Sequence, residues 1–301
     1  MGRFEIGVVL PVFQYGAERM TPRWAEIREV CTRAEQLGFD TVWVPDELLW
    51  ISGEEPPTGV WDCVSVAGAV AASTTKIKVG TWVMSALHRN PGIIAKTAET
   101  LDEISAGRFV FGLGAGHTGP GQARAFGLPE DKVAARFREA LEIIVPLLRA
   151  GRADFQGNYH AANDLVQQPL GPRPNAIPLL IGGNRLTGQR MAARYADIWS
   201  SFATESSYVD EFLPRMESFR AVCHEEGRDP ATIGRDAGVL VHPLEPAGAS
   251  REYLSGPPSA IADSLRAFRE AGFTQADLLI EPGTLEAFEA AAPVVELLRA
   301  G

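Results

Sequence analysis

The chain has 301 residues, of which 46% are apolar and 22% are charged, a composition typical of a globular protein with a sizeable core. It carries 28 lysines and arginines against 38 aspartates and glutamates, giving a formal net charge of -10. Because a surface of that sign repels phosphate backbones and anionic lipid, we expect neither nucleic acid nor a membrane as a partner.

Hydrophobic periodicity predicts strands and helices that alternate from one end of the chain to the other. The predicted strands are 4–10, 40–44, 77–83, 108–113, 177–181, 198–202, 237–241 and 276–280. The predicted helices are 22–37, 61–72, a helix between the third and fourth strands, 133–148, 186–195, 208–226, 259–271 and 285–298. The strands are continuous apolar runs, as expected of parallel strands that are covered on both faces.

Eight strand–helix pairs in a chain of this length predict an α/β fold, a single (β/α)8 TIM barrel that forms one domain over residues 1–301. A doubly wound open sheet is the alternative. The residues beyond the pairs predict loop insertions at the C-terminal face, mainly 116–131 and 151–175, the second beginning as a hairpin of 154–159 with 165–168. These insertions and the loop 241–256 are expected to set the substrate.

The three cysteines, Cys31, Cys63 and Cys223, are odd in number and lie in predicted helices. They are expected to be buried free thiols of a reducing compartment, which indicates the cytoplasm. The five histidines lack the close spacing of a metal site, so no metal is expected.

Two glycine-rich turns follow predicted strands, where α/β folds place their sites. The first, FGLGAGHTGPG, lacks the context of a dinucleotide-binding loop, because glycines and prolines follow where a helix should open. Its missing side chains favour close approach of a flat or phosphorylated ligand, with a tight turn as the alternative.

In the second glycine-rich turn, LLIGGNRLTGQR, Gly182 and Gly183 end a buried strand and Asn184 can cap a helix. Helix N–H groups and Arg185 then predict a phosphate site, or simply a capped helix.

Polar residues also follow other strands. Asp46, Glu47 and Trp50 come after the second strand, where a carboxylate can transfer a proton or bind a ring nitrogen. His117 and His242 follow two further strands and could line the mouth of the barrel. A solvated loop or a structural histidine is the alternative in each case.

These residues resemble the bacterial luciferase-like monooxygenase family, which includes flavin-dependent monooxygenases and deazaflavin (coenzyme F420)-dependent oxidoreductases. The resemblance covers nearly the whole chain and is nearest to the F420-dependent branch. The matching blocks include FEIGVVLP, RAEQLGFDTVWVPDELL, KIKVGTWVMSALHRNPGIIAKTAETLDEISAGRFVFGLGAG, FGLPEDKVAARFREALEIIVPLLRAG, PNAIPLLIGGNRLTGQRMAARYADIWSS and GPPSAIADSLRAFREAGF.

The resemblance implies a (β/α)8 barrel with the cofactor at its C-terminal mouth. It implies a cis peptide bond between Trp82 and Val83, which supports the ring of the cofactor. It places Ala115, Gly116 and His117 beside that ring. The cofactor phosphate would bind Gly182, Gly183 and Asn184, in agreement with the turn described above.

Two departures from the family pattern concern the acid–base residues. Glu47 stands where many members have histidine, and His117 stands where some F420-dependent dehydrogenases have a catalytic glutamate. The two residue types are thus exchanged, which argues against a sugar-phosphate dehydrogenase.

The resulting hypothesis is hydride transfer between coenzyme F420 and a small organic substrate. Glu47 and His117 would be catalytic, Asp46 and Arg185 would help bind the cofactor, and Trp50 and His242 would line the substrate pocket. The basic groups available to the polyglutamate tail of F420 are Arg89, Arg173 and Arg185. The alternatives are an FMN-dependent monooxygenase that a partner reductase supplies with reduced flavin, and a non-catalytic flavin-binding protein. A homodimer is expected.

Overall fold

Eight parallel strands close into a barrel in the computed structural model, which describes residues 3–51, 56–116 and 120–300. The barrel strands are β1 (Glu5–Val9), β2 (Thr41–Val44), β3 (Lys78–Thr81), β4 (Phe109–Gly114), β5 (Leu179–Gly182), β6 (Ile198–Phe202), β7 (Gly234–His242) and β8 (Gln275–Ile280). Each strand pairs in parallel with the next in chain order, and β8 pairs with β1 to complete the circle. The predicted TIM barrel is confirmed, and the open sheet is excluded.

Helices cover the outside of the barrel. They are α1 (Trp24–Leu37), α2 (Cys63–Ser73), α3 (Pro91–Ile104), α4 (Val133–Ala150), α5 (Leu186–Tyr195), α6 (Val209–Glu225), α7 (Pro258–Ala271), α8 (Leu285–Ala291) and α9 (Val294–Arg299). Their apolar faces pack on the strands in one continuous core. Among the described residues, no helix is both long and apolar enough to cross a membrane.

The last predicted helix, 285–298, is divided into α8 and α9. The division lies at Pro293, which has no N–H to donate and whose ring disfavours a continuous helix. The hairpin prediction is confirmed in type, although its strands are Arg152–Gln156 and Ala161–Val166.

The insertion 116–131 contains a short helix, Pro120–Phe126, that the sequence pattern does not predict. Glycines and prolines dominate this stretch, but proline is favourable at the first position of a helix because its missing N–H has no partner there. This helix brings Gln122 to the loop after β2, as described below.

The three cysteines are free and buried, as predicted. Burial raises the pKa of Cys31 to about 12 and that of Cys63 well above the usual thiol value. Both thiols therefore stay protonated and belong to the core rather than to a reactive site.

Candidate active site

A cavity of about 850 Å³ opens at the carboxyl ends of the barrel strands. Residues at or just after the ends of β1 to β6, residues at the starts of α4 and α5, and one residue of β8 line it. Most of the predicted site residues meet here: Asp46, Glu47, Trp50, Trp82, Val83, Ala115, Gly116, Gly182, Gly183, Asn184 and Arg185. The mouth of the barrel is therefore the candidate active site.

The floor of the cavity is formed by an irregular segment after β3, where the peptide bond between Trp82 and Val83 is cis, as expected. The glycines of β4 make room for it. A Cβ atom on Gly112 would lie 1.9 Å from the carbonyl oxygen of Thr81, and one on Gly114 would lie 2.7 Å from Val83 Cγ2. Gly112 and Gly114 thus accommodate the neighbouring strand, and Gly114 also lines the cavity.

The Trp82 indole points into the barrel beneath the cavity. Its Nε1 donates to Ser200 Oγ at 3.2 Å and to Asp236 Oδ2 at 3.3 Å. Its ring packs edge-on against Phe202, with 5.4 Å between the ring centroids. These contacts fix Trp82 from below, while the tryptophan also lines the cavity.

The turn after β5 forms the second wall. A Cβ atom on Gly183 would lie 2.7 Å from Gly188 Cα, so the turn packs directly on the first turn of α5. Asn184 does not cap this helix: its side chain donates to Phe202 O and accepts from Ser201 Oγ and Phe202 N. The N-cap residue is Arg185, and no side chain caps the helix within the described structure. The N–H groups at this helix end remain available to an anion.

Asp46 holds the loop after β3. Its carboxylate accepts two hydrogen bonds from Arg89, at 2.6 and 3.0 Å, and one from the backbone N–H of Ser85 at 2.9 Å. Burial raises the pKa of Asp46, but contacts with His88 and Arg89 outweigh burial, and the pKa is lowered. Asp46 is therefore ionised and occupied by protein partners, which makes it a positioning residue.

Glu47 is half-buried at the cavity wall, and Gln122 Nε2 donates to its Oε2 at 3.2 Å. Burial raises the pKa of Glu47 above its usual range, although Gln122 and His88 act in the opposite direction. Gln122 Oε1 also accepts from the backbone N–H groups of Leu48 and Leu49. The short helix 120–126 thus orients the loop that carries Glu47.

His88 is a site residue that the sequence interpretation did not select. It lines the cavity with a side chain that is 3% exposed, and its Nδ1 lies 3.3 Å from Asp46 Oδ2. Nδ1 thus lies within ion-pair distance of Asp46, and Nε2 has no hydrogen-bond partner within the described structure. A carboxylate at one ring nitrogen orients an imidazole and leaves the other nitrogen free for a ligand. The signal in the sequence was its place just after the third strand.

Three residues that the sequence predicts for the site are not among the described residues that line the cavity. His117 lies outside the described residues. His242 does not line the described cavity: its Nε2 lies 2.9 Å from Glu281 Oε2, and its ring packs on Tyr253. Arg173 lies at the opposite end of the barrel, where it donates to Asp102 and to the carbonyl of Phe109 at the start of β4.

The family model described as luciferase-like monooxygenase matches residues 4–247. The chain belongs to the luciferase-like monooxygenase family.

Luciferase-like proteins of known activity are similar to this chain over most of its length. An F420-dependent glucose-6-phosphate dehydrogenase from Nakamurella multipartita is 31% identical over 213 residues, 68% of this chain and 60% of that protein. The pyrimidine monooxygenase RutA from Rhizobium rhizogenes is 29% identical over 244 residues, 76% of this chain and 65% of that protein. The chain thus spans less than two thirds of the length of these luciferase-like relatives.

Solved luciferase-like structures share the fold. An F420-dependent secondary alcohol dehydrogenase in complex with an F420–acetone adduct superposes with a TM-score of 0.83 at 19% identity, covering 99% of this chain and 100% of that one. Long-chain alkane monooxygenase (LadA) superposes with a TM-score of 0.76 at 15% identity, covering 99% of this chain and 92% of that one. At these identities the likeness concerns the barrel alone.

Proposed function

We propose that this protein is an oxidoreductase that transfers a hydride between coenzyme F420 and a small organic substrate. The observation that carries the proposal is one cavity of about 850 Å³ that Trp82 and Val83 line and that reaches the uncapped helix end after β5. The F420-dependent names of several relatives support the choice of cofactor.

The residues present fit such a cofactor. The turn at Gly182 and Gly183 lines the cavity and leads into α5, whose first N–H groups have no side-chain cap and suit a phosphate. The N–H of Gly183 itself donates to Ser200 O. Val83, Ala115 and Gly116 offer a flat apolar surface to a ring. When bound, the deazaflavin ring supplies the hydride chemistry, and the protein supplies position and proton transfer.

Glu47 is proposed as the group that exchanges a proton with the substrate, since its raised pKa lies nearer to neutral pH. His88 is proposed as a second proton-transfer group, held by Asp46. His117 stays a candidate from the sequence. The buried floor around Trp82 excludes water from one side of the reacting centre.

A groove beside the cavity supports F420 over FMN. Asn184, Arg185 and Thr187 line both, and Arg215 and Ser218 continue the groove between α5 and α6. Arg215 also pairs with Glu211, so Arg185 is the cation most available to an acidic tail. The polyglutamate tail of F420 would find a basic group here, whereas FMN ends at its phosphate.

The deciding experiment is titration of the purified protein with F420 and with FMN, followed by fluorescence. We expect F420 to bind more tightly, and Arg185→Ala to weaken F420 at least tenfold and FMN less. Tight FMN binding without F420 binding would reject the proposal. In that case the monooxygenase alternative, which similarity to RutA supports, is tested by oxygen consumption with reduced FMN.

We propose that the protein forms a homodimer and that it is located in the cytoplasm. Exposed apolar side chains on the helices, such as Ile93, Leu186 and Leu213, support association between copies. Three buried free thiols support a reducing compartment. Light scattering after size-exclusion chromatography tests the dimer, and a single-chain mass would reject it.

A further inference from the structure

The cavity has two sides with different chemistry. In a closed eight-strand barrel, β1 lies across from β5 and β2 lies across from β6. The loops after β1 and β2 therefore face the glycine turn after β5, where the cofactor phosphate is proposed to bind. The space near Phe13, Glu47 and Trp50 is left for the substrate.

The substrate side is largely apolar. Phe13 and Trp50 line it from the loops after β1 and β2, and Val133 and Phe137 line the cavity from the start of α4. Trp50 is 48% exposed, so it presents an uncovered indole face at the mouth. Apolar surface of this kind favours an apolar ligand, because burying both surfaces releases water.

Among the described residues, no lysine or arginine lines the substrate side. Arg185 is the one lysine or arginine among the described residues that line the cavity, and it belongs to the β5 turn. Arg89 is compensated by Asp46 and Asp62.

Asp46 on this side is paired with Arg89, whereas the Glu47 carboxylate has no cationic partner among the described residues. A substrate phosphate or carboxylate placed beside Glu47 would lose its hydration without gaining a cation and would also meet a like charge. A hydroxyl or carbonyl group needs only a hydrogen-bond partner, which Glu47 and His88 provide.

We propose that the substrate is a neutral, largely apolar alcohol or carbonyl compound without a phosphate or carboxylate group. The inference rests on the proposed function for the location of the cofactor. It differs from the phosphorylated sugar in the names of several relatives.

The test compares matched probes that differ only in charge: benzyl alcohol with benzyl phosphate, and cyclohexanol with cyclohexyl phosphate. Binding is measured by calorimetry to protein loaded with F420 and to protein loaded with FMN, so that the proposed phosphate site after β5 is filled. We expect the neutral member of each pair to bind at least tenfold more tightly in each loaded form. Because affinity is measured without turnover, a failure of F420 binding is distinguished from a failure of this inference.

A variant that adds a positive charge to the substrate side provides a second test. Trp50→Arg supplies the missing cation at an exposed position, so benzyl phosphate should gain at least tenfold in affinity. Trp24→Arg is the matched control, since Trp24 is 39% exposed on α1 and lies outside the cavity lining. Tighter binding of the phosphates to the unmodified protein, or no difference within the pairs, would overturn the proposal.

Discussion

The side chain of Val83 occupies the space that a Cβ atom on Gly114 would need, with only 2.7 Å between that position and Val83 Cγ2. Val83 also lies 3.4 Å from the corresponding position on Gly182. One valine after β3 thus packs against glycines in both β4 and β5. The cavity floor depends on small residues in two neighbouring strands.

Gly114→Ala should therefore displace Val83 and destabilise the protein by about 1–3 kcal/mol, the usual cost of overpacking a core. Cofactor affinity should fall as well, because the floor moves. Gly68→Ala in α2 is the control: its Cβ would meet only Leu101 Cδ2 at 3.9 Å, and alanine favours the helix. Urea unfolding measures both variants, and equal stability of the two would contradict this account of the floor.

Glu47→Gln should lower kcat by about 10²–10⁴-fold, the range for loss of a general acid or base. The pH profile of kcat/KM should lose the limb that reports the raised pKa of Glu47. Glu130→Gln, at an exposed residue outside the cavity, should change neither. Unchanged kinetics in Glu47→Gln would remove Glu47 from the mechanism.

Gln122→Met tests whether the hydrogen bond from Gln122 lowers the pKa of Glu47. Because the Gln122 hydrogen bond lowers the pKa of Glu47, its loss should raise that pKa further and move the same limb to higher pH. If Gln122 had only a structural role, its loss would lower activity at every pH without moving this limb of the kcat/KM profile.

Asp46→Asn leaves Arg89 without its buried partner, so we expect a loss of about 3–5 kcal/mol in unfolding free energy. Because the folded-state pKa of Asp46 is lowered, its contribution is present above the usual carboxyl pKa and is lost as the pH falls through the lowered value. The double variant Asp46→Asn/Arg89→Met should recover part of the loss. A double-mutant cycle that shows additive effects would be inconsistent with the pair.

A buried carboxyl pair lies below the cavity. Burial raises the pKa of Asp236 to about 6 and that of Asp277 well above its usual value. The folded state therefore holds protons that the unfolded state releases, so stability should fall as the pH rises from about 4 through 6. Asp277→Asn should flatten this dependence and stabilise the protein by on the order of 2 kcal/mol at pH 8. Thermal unfolding across pH measures this dependence, and an unchanged slope in Asp277→Asn would reject the raised pKa values of the pair as its cause.

The sequence pattern was sufficient to predict the barrel, because the hydrophobic periodicity of each strand or helix depends only on residues that are close together in the sequence. The bounds of α5 and β6 agree with the prediction to the residue. The sequence also placed Gly182 and Gly183 correctly at the mouth of the barrel, because glycines that end a buried strand are visible in the sequence. The exception is Asn184, whose expected cap is replaced by hydrogen bonds to β6.

Side-chain partners distant in sequence were not predictable. Gln122 meets Glu47 across 75 positions, and Arg173 meets Asp102 across 71. His242 turns to Glu281, a neighbour only because β7 pairs with β8. Such contacts follow from the closed sheet, which periodicity predicts in outline but not in register.

The hydrogen bonds of Gln122 also bear on how new specificity can be engineered into this protein. The insertion after β4 supplies one amide that holds the backbone of the β2 loop and the Glu47 carboxylate together. Grafting this insertion from another member of the family would thus alter proton transfer along with substrate choice. A library that varies the insertion while keeping Gln122 and its two neighbours on each side should separate the two properties.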